Sequence, residues 1–208
     1  KVITFLLPIN GGESIGIIAA ILLGLALPVT PLQILWVNMV SSVALALTLA
    51  FEPTEPNAMR RPPRKPGEAL LSGFVLWRIV FVSGLFVVGI FGMFYWALAR
   101  GLEIETARTM VVNTIVVMEI FYLFSVRYVH GTSLSWIGVL GTRPVLLGIA
   151  AVTLLQFAFT YAPFMQSLFA SEALPLATGV LVVLAGVAVL VILEIEKALL
   201  RRMGVGPA

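Results

Sequence analysis

The sequence predicts an all-α membrane protein in which residues 1–208 form a single domain, a bundle of six transmembrane helices. Of its residues, 60% are hydrophobic and only 11% are charged, whereas soluble domains carry about 25% charged residues. The apolar residues fall into six runs, each long enough to cross a hydrocarbon core of about 30 Å as a helix of about 20 residues. Cysteine is absent, which excludes disulfides and cysteine-based metal sites.

Prolines and polar linkers set the predicted ends of the six helices. Pro28 and Pro31 lie between the first two runs, where each fixes φ and removes a backbone donor. A polar linker with five prolines follows the second run and predicts extended chain at residues 52–72. The predicted helices cover approximately residues 2–27, 32–51, 74–99, 108–127, 144–168 and 175–196.

The positions of lysine and arginine predict how the bundle is oriented. With the N-terminus inside, eleven of the 13 basic residues lie on the cytoplasmic side, and Arg100 and Arg108 lie on the other. Cytoplasmic loops carry such an excess, so we expect both termini and the 52–72 linker to be cytoplasmic. The basic residues gather at helix ends and form no stripe, so the expected partner is the lipid bilayer and not a nucleic acid.

Two glutamates stand out because a charged side chain at mid-span costs about 3 kcal/mol or more. Glu13 lies in the first helix and Glu119 in the fourth. Asn10 lies three residues before Glu13 and therefore shares its helix face. Asn38 and Ser41 repeat this spacing in the second helix, where Ser42 follows. The remaining polar residues at this depth are Asn113 and Gln156.

These side chains together indicate a cation-binding site. Carboxylate, amide and hydroxyl oxygens suit a hard cation such as Ca²⁺, Na⁺ or K⁺ and not a soft metal. Pro8, Gly11 and Gly12 predict an irregular turn beside Glu13, which would free carbonyl oxygens. The predicted cation-binding residues are Asn10, Glu13, Asn38, Ser41, Ser42 and Glu119, with Asn113 and Gln156 as additional polar lining. No catalytic residue is predicted.

A structural role stays open for the uncharged members of this set. Asn, Gln and Ser side chains also bridge transmembrane helices, where each hydrogen bond contributes about 0.6 kcal/mol. Ser41, Ser42, Asn113 and Gln156 fit either role. We expect Gly84, Gly89, Gly92 and Gly186 to be close contacts between helices. The charges near the C-terminus are predicted to form an interfacial helix end with snorkelling basic side chains: Glu194, Glu196, Lys197, Arg201 and Arg202.

Several stretches resemble the C-terminal membrane half of P-type cation-transporting ATPases, in the group of the calcium and sodium pumps. They are NGGE, ILWVNMVSS with ALALTLAFEP, MRRPPRKPGEALLSG, WRIVF and ARTMVVNTIVVME. The resemblance implies that the six helices are the fifth to tenth spans of a ten-span pump. It also implies cation ligands at Asn10 and Glu13 of the fifth span, Asn38 and Ser41 of the sixth, and Glu119 of the eighth.

The sequence departs from this family at Ser42, where the sixth span usually carries an aspartate. The replacement removes one negative charge from the expected site. It favours a single site, or a cation other than calcium, over the two-calcium arrangement.

The resemblance also implies what lies outside the chain: the first four spans and the cytoplasmic domains that bind nucleotide and become phosphorylated. The chain begins at Lys1 and not Met, and its ten acidic residues are all glutamate, so we expect a fragment without ATPase activity. ATP and Mg²⁺ would act only in the full-length parent. Arg60, Arg61 and Arg64 are expected to contact a cytoplasmic domain of the parent, and the short loops favour a prokaryotic plasma membrane.

Three other interpretations remain open. A stand-alone secondary transporter or channel would use the same acidic residues, but such folds often contain inverted repeats, and the sequence shows none. A membrane anchor subunit would explain the spans but not the mid-span Asn10, Glu13 and Glu119. An intramembrane hydrolase would need a Ser/His/Asp or two-aspartate set. A phosphorylation segment in the reading frame upstream of Lys1 would select the pump.

Overall fold

The computed structural model describes residues 1–51, 73–127 and 142–203. It confirms the predicted class, because the described residues are nearly all helical and include six helices long and apolar enough to cross a membrane. The six are α1 (Val2–Leu22), α2 (Pro31–Ala50), α3 (Gly73–Ala99), α4 (Ile104–Arg127), α5 (Arg143–Tyr161) and α7 (Leu176–Arg202), and a short α6 (Pro163–Phe169) follows α5. The 52–72 linker with Arg60, Arg61 and Arg64 lies outside the described residues.

Local signals end and start the helices within a few residues of the predicted positions. α1 stops at Leu22, five residues before its predicted end, because Gly24 adopts a φ of 63°. The Leu25 amide then donates to the Ala20 carbonyl at 2.8 Å, which closes a Schellman motif. α2 begins with a capping box in which Thr30 and Gln33 satisfy each other's backbone amides.

Proline interrupts the fifth predicted helix, which the structure divides into two. Pro163 lacks a backbone donor, and Ala162 before it is extended with a ψ of 125°, as a residue that precedes proline prefers. α5 therefore ends at Tyr161, and α6 runs only to Phe169. The last helix, α7, continues to Arg202, six residues beyond its predicted end.

α4 is the centre of the bundle. In an apolar stretch of 18 residues in α4, 72% of the residues are buried. In the corresponding stretches of the other five spans, the buried share is 28% to 50%. α3 and α7 pack along α4, and α1 packs along α3. The core includes Phe5, Phe86, Ile115 and Tyr122, all fully buried. A side chain on the inner face of α4 is therefore shielded from lipid on several sides.

Glycines allow the closest approach between helices. Only some of the glycines predicted to lie at such contacts do so. A Cβ on Gly186 would lie 2.5 Å from side-chain atoms of Val117 and Phe121, and one on Gly89 would lie 2.6 Å from the sulfur of Met118. Gly84 and Gly92 face open space instead, so the prediction of close contacts is wrong for these two. They lie on faces of α3 that no described helix covers.

We expect Gly12→Ala to destabilise the bundle by about 1–3 kcal/mol, as overpacking does. A Cβ at residue 12 would lie 2.5 Å from Phe86 Cβ and 3.1 Å from the Ser83 carbonyl oxygen, so α1 and α3 must separate. Gly92→Ala is the matched control, because it adds the same methyl group to open space in a helix and should stabilise by up to about 1 kcal/mol. Unfolding in detergent measures both, and equal effects would contradict the packing.

Candidate cation site

Two buried carboxylates lie inside the bundle. Glu13 of α1 is 4% exposed, and Glu119 of α4 is fully buried. Both receive a hydrogen bond from the same segment of α2, Glu13 from Asn38 and Glu119 from Ser42. The structure therefore brings together two acidic residues that are 106 positions apart in the sequence.

Glu13 is held by an amide from α2. Asn38 Nδ2 donates to Glu13 Oε2 at 2.9 Å and to the Ile34 carbonyl oxygen at 3.2 Å. The other carboxylate oxygen, Glu13 Oε1, is buried and accepts no hydrogen bond from the described residues. One side of this carboxylate is thus oriented by the protein, and the other side is available to a ligand.

Glu119 has the same arrangement with a hydroxyl in place of the amide. Ser42 Oγ donates to Glu119 Oε1 at 2.8 Å, whereas the buried Glu119 Oε2 accepts no hydrogen bond from the described residues. The Ser41 hydroxyl donates to the Val37 carbonyl oxygen of its own helix at 2.8 Å. Each glutamate therefore keeps one free oxygen.

The three α2 residues of this site lie on a π-helical segment, Val37–Ser42. Such segments are rare and frequently occur at functional sites. The irregular turn predicted beside Glu13 is wrong in its position, because α1 is a continuous α-helix through Pro8, Gly11 and Gly12. Gly11 and Gly12 instead give room to Ser83 and Phe86 of α3. The irregular backbone is in α2, in the segment that donates hydrogen bonds to both carboxylates.

The pair of carboxylates has no basic partner among the described residues. Ion pairs in this part of the chain join Arg78 to Glu196 and Lys197 to Glu194. Buried charges are normally paired or bound to metal, because burial without compensation is costly. Residues 1–51, 73–127 and 142–203 also contain no cluster of three acidic or histidine side chains. A cation here would combine two carboxylates with neutral oxygens.

A small cavity of about 10 Å³ touches Glu13. This is about the volume that one water molecule needs. Its wall also includes Gly16 of α1, Ile115 of α4, and Pro28 and Val29 of the loop between α1 and α2. The space beside Glu13 therefore lies toward the end of the bundle where this loop closes.

Asn10 does not join the other predicted ligands. It lies on the exposed face of α1, whereas Glu13 is buried, and it makes no hydrogen bond to Asn38, Ser42 or Glu119 in the described structure. The spacing of three residues places Asn10 near the helix face of Glu13, but it does not determine whether a neighbouring helix covers Asn10 as well. That depends on where α3 packs.

Asn113 and Gln156 line a different cavity, of about 180 Å³, between α4, α5 and α7. Asn113 exchanges hydrogen bonds with Thr160 at 3.0 and 3.2 Å. Gln156 Oε1 accepts from Trp36 Nε1 at 3.2 Å, and Gln156 Nε2 is buried without a partner in the described residues. These two residues are therefore separated from the small cavity beside Glu13.

The snorkelling predicted for the basic side chains at the end of α7 is wrong for Lys197. Glu194, Glu196 and Lys197 are buried. Arg78 Nη1 pairs with Glu196 Oε2 at 2.7 Å, and its Nη2 donates to Ser125 Oγ at 2.9 Å. Only Arg201 and Arg202 are exposed.

Lys197 completes this buried charge network, because its Nζ contacts Glu194 Oε1 at 2.7 Å and the Ser125 carbonyl oxygen at 2.9 Å. The network joins the start of α3 to the ends of α4 and α7. Sequence reasoning missed it because Arg78 lies near a predicted helix end, where a basic residue is expected to be solvated. In the structure it lies five residues inside α3.

A bundle of apolar spans around two buried carboxylates is the architecture of a membrane domain from an ion-transport protein. The family model described as "Cation transporting ATPase, C-terminus" matches residues 26–199. The chain belongs to this family, the C-terminal membrane domains of cation-transporting P-type ATPases.

Relatives are similar along most of the chain. It is 41% identical to the "Probable cation-transporting ATPase F" of Mycobacterium bovis, with 97% of the chain and 22% of the relative aligned. It is 40% identical to "Cation-transporting ATPase pma1" of Synechocystis, over 81% of the chain and 19% of the relative. It is 30% identical to "Calcium-transporting ATPase 1" of Bacillus cereus, over 95% of the chain and 24% of the relative. The chain thus spans about a fifth of the length of these relatives.

Proposed function

We propose that this chain supplies the cation-binding and translocation part of an ATP-driven pump. The observation that supports this proposal is the free, buried oxygen on each of Glu13 and Glu119. Two buried carboxylates without a basic partner in the described residues favour a positive ligand beside them. Asn38 and Ser42 orient the carboxylates, so the free oxygens are positioned before the cation arrives.

The proposed cargo is one hard cation, with Ca²⁺ as the first candidate. Two carboxylates balance one divalent charge, and amide and hydroxyl oxygens complete a Ca²⁺ shell of six to eight ligands more readily than a soft-metal shell. The name of the Bacillus cereus relative, a calcium-transporting ATPase, favours the same ion. Ser42 in place of an acidic residue favours a single site.

Asn10 is proposed to face the spans of the parent that lie outside this chain. An exposed amide within a transmembrane helix is unfavourable against lipid, since lipid tails offer no hydrogen-bond partner. Packing of a further span on this face of α1 would cover Asn10 and Ser14, which is also exposed. The same span would bring Asn10 into the walls of the cation site.

The energy for transport is proposed to come from ATP and Mg²⁺ in the cytoplasmic domains of the full-length parent. Phosphorylation there would tilt the helices and alternate access to the site. Eleven basic residues lie on the side of the termini and two on the other side, and this excess favours cytoplasmic termini and a cytoplasmic 52–72 linker. Arg60, Arg61 and Arg64 would then contact the phosphorylated domain.

The bacterial relatives favour the plasma membrane as the location of the parent.

Cation-dependent phosphorylation of the full-length parent tests the function. We expect incorporation of phosphate from labelled ATP to require a hard cation, with Ca²⁺ effective at the lowest concentration among Ca²⁺, Na⁺ and K⁺. Membranes without the protein and a chelator-treated sample are the controls. Phosphorylation that is equal with and without every cation would contradict the proposal. A stand-alone channel or secondary transporter would show transport without any phosphorylated form.

The Ser42→Asp variant should shift the ion preference of the parent toward Ca²⁺. The added carboxylate lies beside Glu119, and its Coulomb attraction is twice as strong for a divalent as for a monovalent ion. We expect the ratio of apparent affinities for Ca²⁺ and Na⁺ to rise by about tenfold, or ~1.4 kcal/mol. Ser42→Asn, which has the same size without the charge, is the matched control. A folded Asp variant with an unchanged ratio would exclude residue 42 from the site.

A further inference from the structure

Pro8 leaves one carbonyl group of α1 without its helical partner. In an α-helix the carbonyl oxygen of residue i accepts from the amide of residue i+4. The partner of the Thr4 carbonyl would be residue 8, which is proline and has no N–H. α1 nevertheless runs as an α-helix from Val2 to Leu22 with Pro8 inside it.

A side chain from another helix supplies the missing donor. The Tyr122 hydroxyl of α4 donates to the Thr4 carbonyl oxygen at 2.6 Å. Tyr122 is fully buried, and its ring stacks on Phe5 with 5.7 Å between centroids and meets Phe86 edge-on at 6.4 Å. Since hydrocarbon offers no water to an unpaired carbonyl, a protein donor is needed here.

This contact lies close to the carboxylate pair on both helices. Tyr122 follows Glu119 by three residues and therefore lies one turn away on the same face of α4. The Thr4–Pro8 turn immediately precedes the part of α1 that carries Glu13. The Ser83 hydroxyl of α3 also donates to the Pro8 carbonyl oxygen, at 2.8 Å. The turn around Pro8 is thus held from two sides.

We propose that Tyr122 is a positioning residue for the cation site. Its hydroxyl replaces the N–H that Pro8 lacks and holds the first turns of α1 against α4, which sets where Glu13 lies relative to Glu119. The link to cation binding rests on the proposed function. The hydrogen bond itself and its dependence on Pro8 do not rest on the proposed function.

A double-mutant cycle in the full-length parent tests the proposal with Tyr122→Phe, Pro8→Ala and the combination. Two quantities are measured for each protein: the midpoint of heat-induced unfolding in detergent and the cation concentration that gives half-maximal phosphorylation. The Phe variant keeps the ring and its stacking and loses only the hydroxyl. Tyr95→Phe removes a hydroxyl from an exposed residue of α3 and is the control.

With Pro8 present, we expect Tyr122→Phe to lower the unfolding midpoint and to raise the half-maximal cation concentration by about three- to tenfold, because the Thr4 carbonyl oxygen loses its donor. In the Pro8→Ala protein the backbone amide of residue 8 donates to the Thr4 carbonyl, so the same change should alter the concentration by less than about twofold. Tyr95→Phe should change neither quantity.

Equal effects of Tyr122→Phe in the wild-type and Pro8→Ala proteins would overturn the proposal, because the hydroxyl would not act through the Thr4 carbonyl. A coupled unfolding midpoint with an unchanged cation concentration would overturn the positioning role and leave only a structural bond. A parent whose phosphorylation needs no cation would overturn the proposed function and the positioning role together. The missing cation requirement would identify that case, and the unfolding midpoints would still test the hydrogen bond, because they do not depend on the cation.

Discussion

Glu13→Gln should abolish cation-dependent phosphorylation of the full-length parent or weaken apparent cation affinity by at least about a hundredfold, ~2.7 kcal/mol. The substitution keeps the size of the side chain and its hydrogen bond from Asn38, so the fold is expected to persist. It removes the free anionic oxygen that the buried site offers a cation. The measurement is phosphate incorporation from ATP as a function of cation concentration.

Glu103→Gln is the matched control for this prediction. Glu103 is an exposed residue just before α4, outside the carboxylate pair, and the same change of charge there should leave the half-maximal concentration within about twofold. A Glu13→Gln protein with cation affinity within twofold of the wild type, well under ~1 kcal/mol, would remove Glu13 from the site. Glu119→Gln is expected to behave like Glu13→Gln, because Glu119 offers the second free oxygen.

The second large effect is expected at the buried charge network. Arg78→Met should destabilise the protein by about 3–5 kcal/mol, because it leaves the Glu196 carboxylate buried without its counter-charge. Trp77 Nε1, which donates to Glu196 Oε1 at 3.1 Å, does not replace the lost positive charge. Unfolding in detergent, followed by the loss of monodisperse protein, measures the change.

Two further variants separate the ion pair from general damage. Arg201→Met changes an exposed arginine at the end of α7, the helix that carries Glu196, and should lower the free energy of unfolding by less than about 0.5 kcal/mol. The Arg78→Met/Glu196→Met double variant removes both charges and should recover most of the lost stability, since apolar replacements of buried pairs are often neutral. A double variant less stable than Arg78→Met alone would show that the pair does not act as a unit.

Much of the fold followed from the sequence because the relevant energies are local. The bilayer requires about 20 apolar residues per span, and each of the six spans meets this requirement with its own residues. Proline and glycine then end the helices at or near their own positions, as at Gly24 and Pro163. The error in the fifth helix arose because a long apolar run obscured one proline.

The candidate site could be predicted in composition but not in arrangement. Glu13 and Glu119 stand out in the sequence because a mid-span carboxylate is costly wherever its helix packs. The sequence does not show that Asn38 contacts Glu13 while Ser42 contacts Glu119. It also offers no reason for a π-helical segment in VNMVSS, which contains neither proline nor glycine.

The sequence by itself determined that this chain contains six apolar spans, two of which carry a glutamate far from their ends, because hydrophobic length and the cost of charge are properties of single segments. Tertiary structure alone decided which polar groups meet. It turned Asn10 outward and Glu13 inward, and it joined Arg78 to Glu196 across 118 residues. Such pairings depend on the rotation and depth of each helix against its neighbours, and close contacts such as Gly12 against Phe86 set these for the whole bundle.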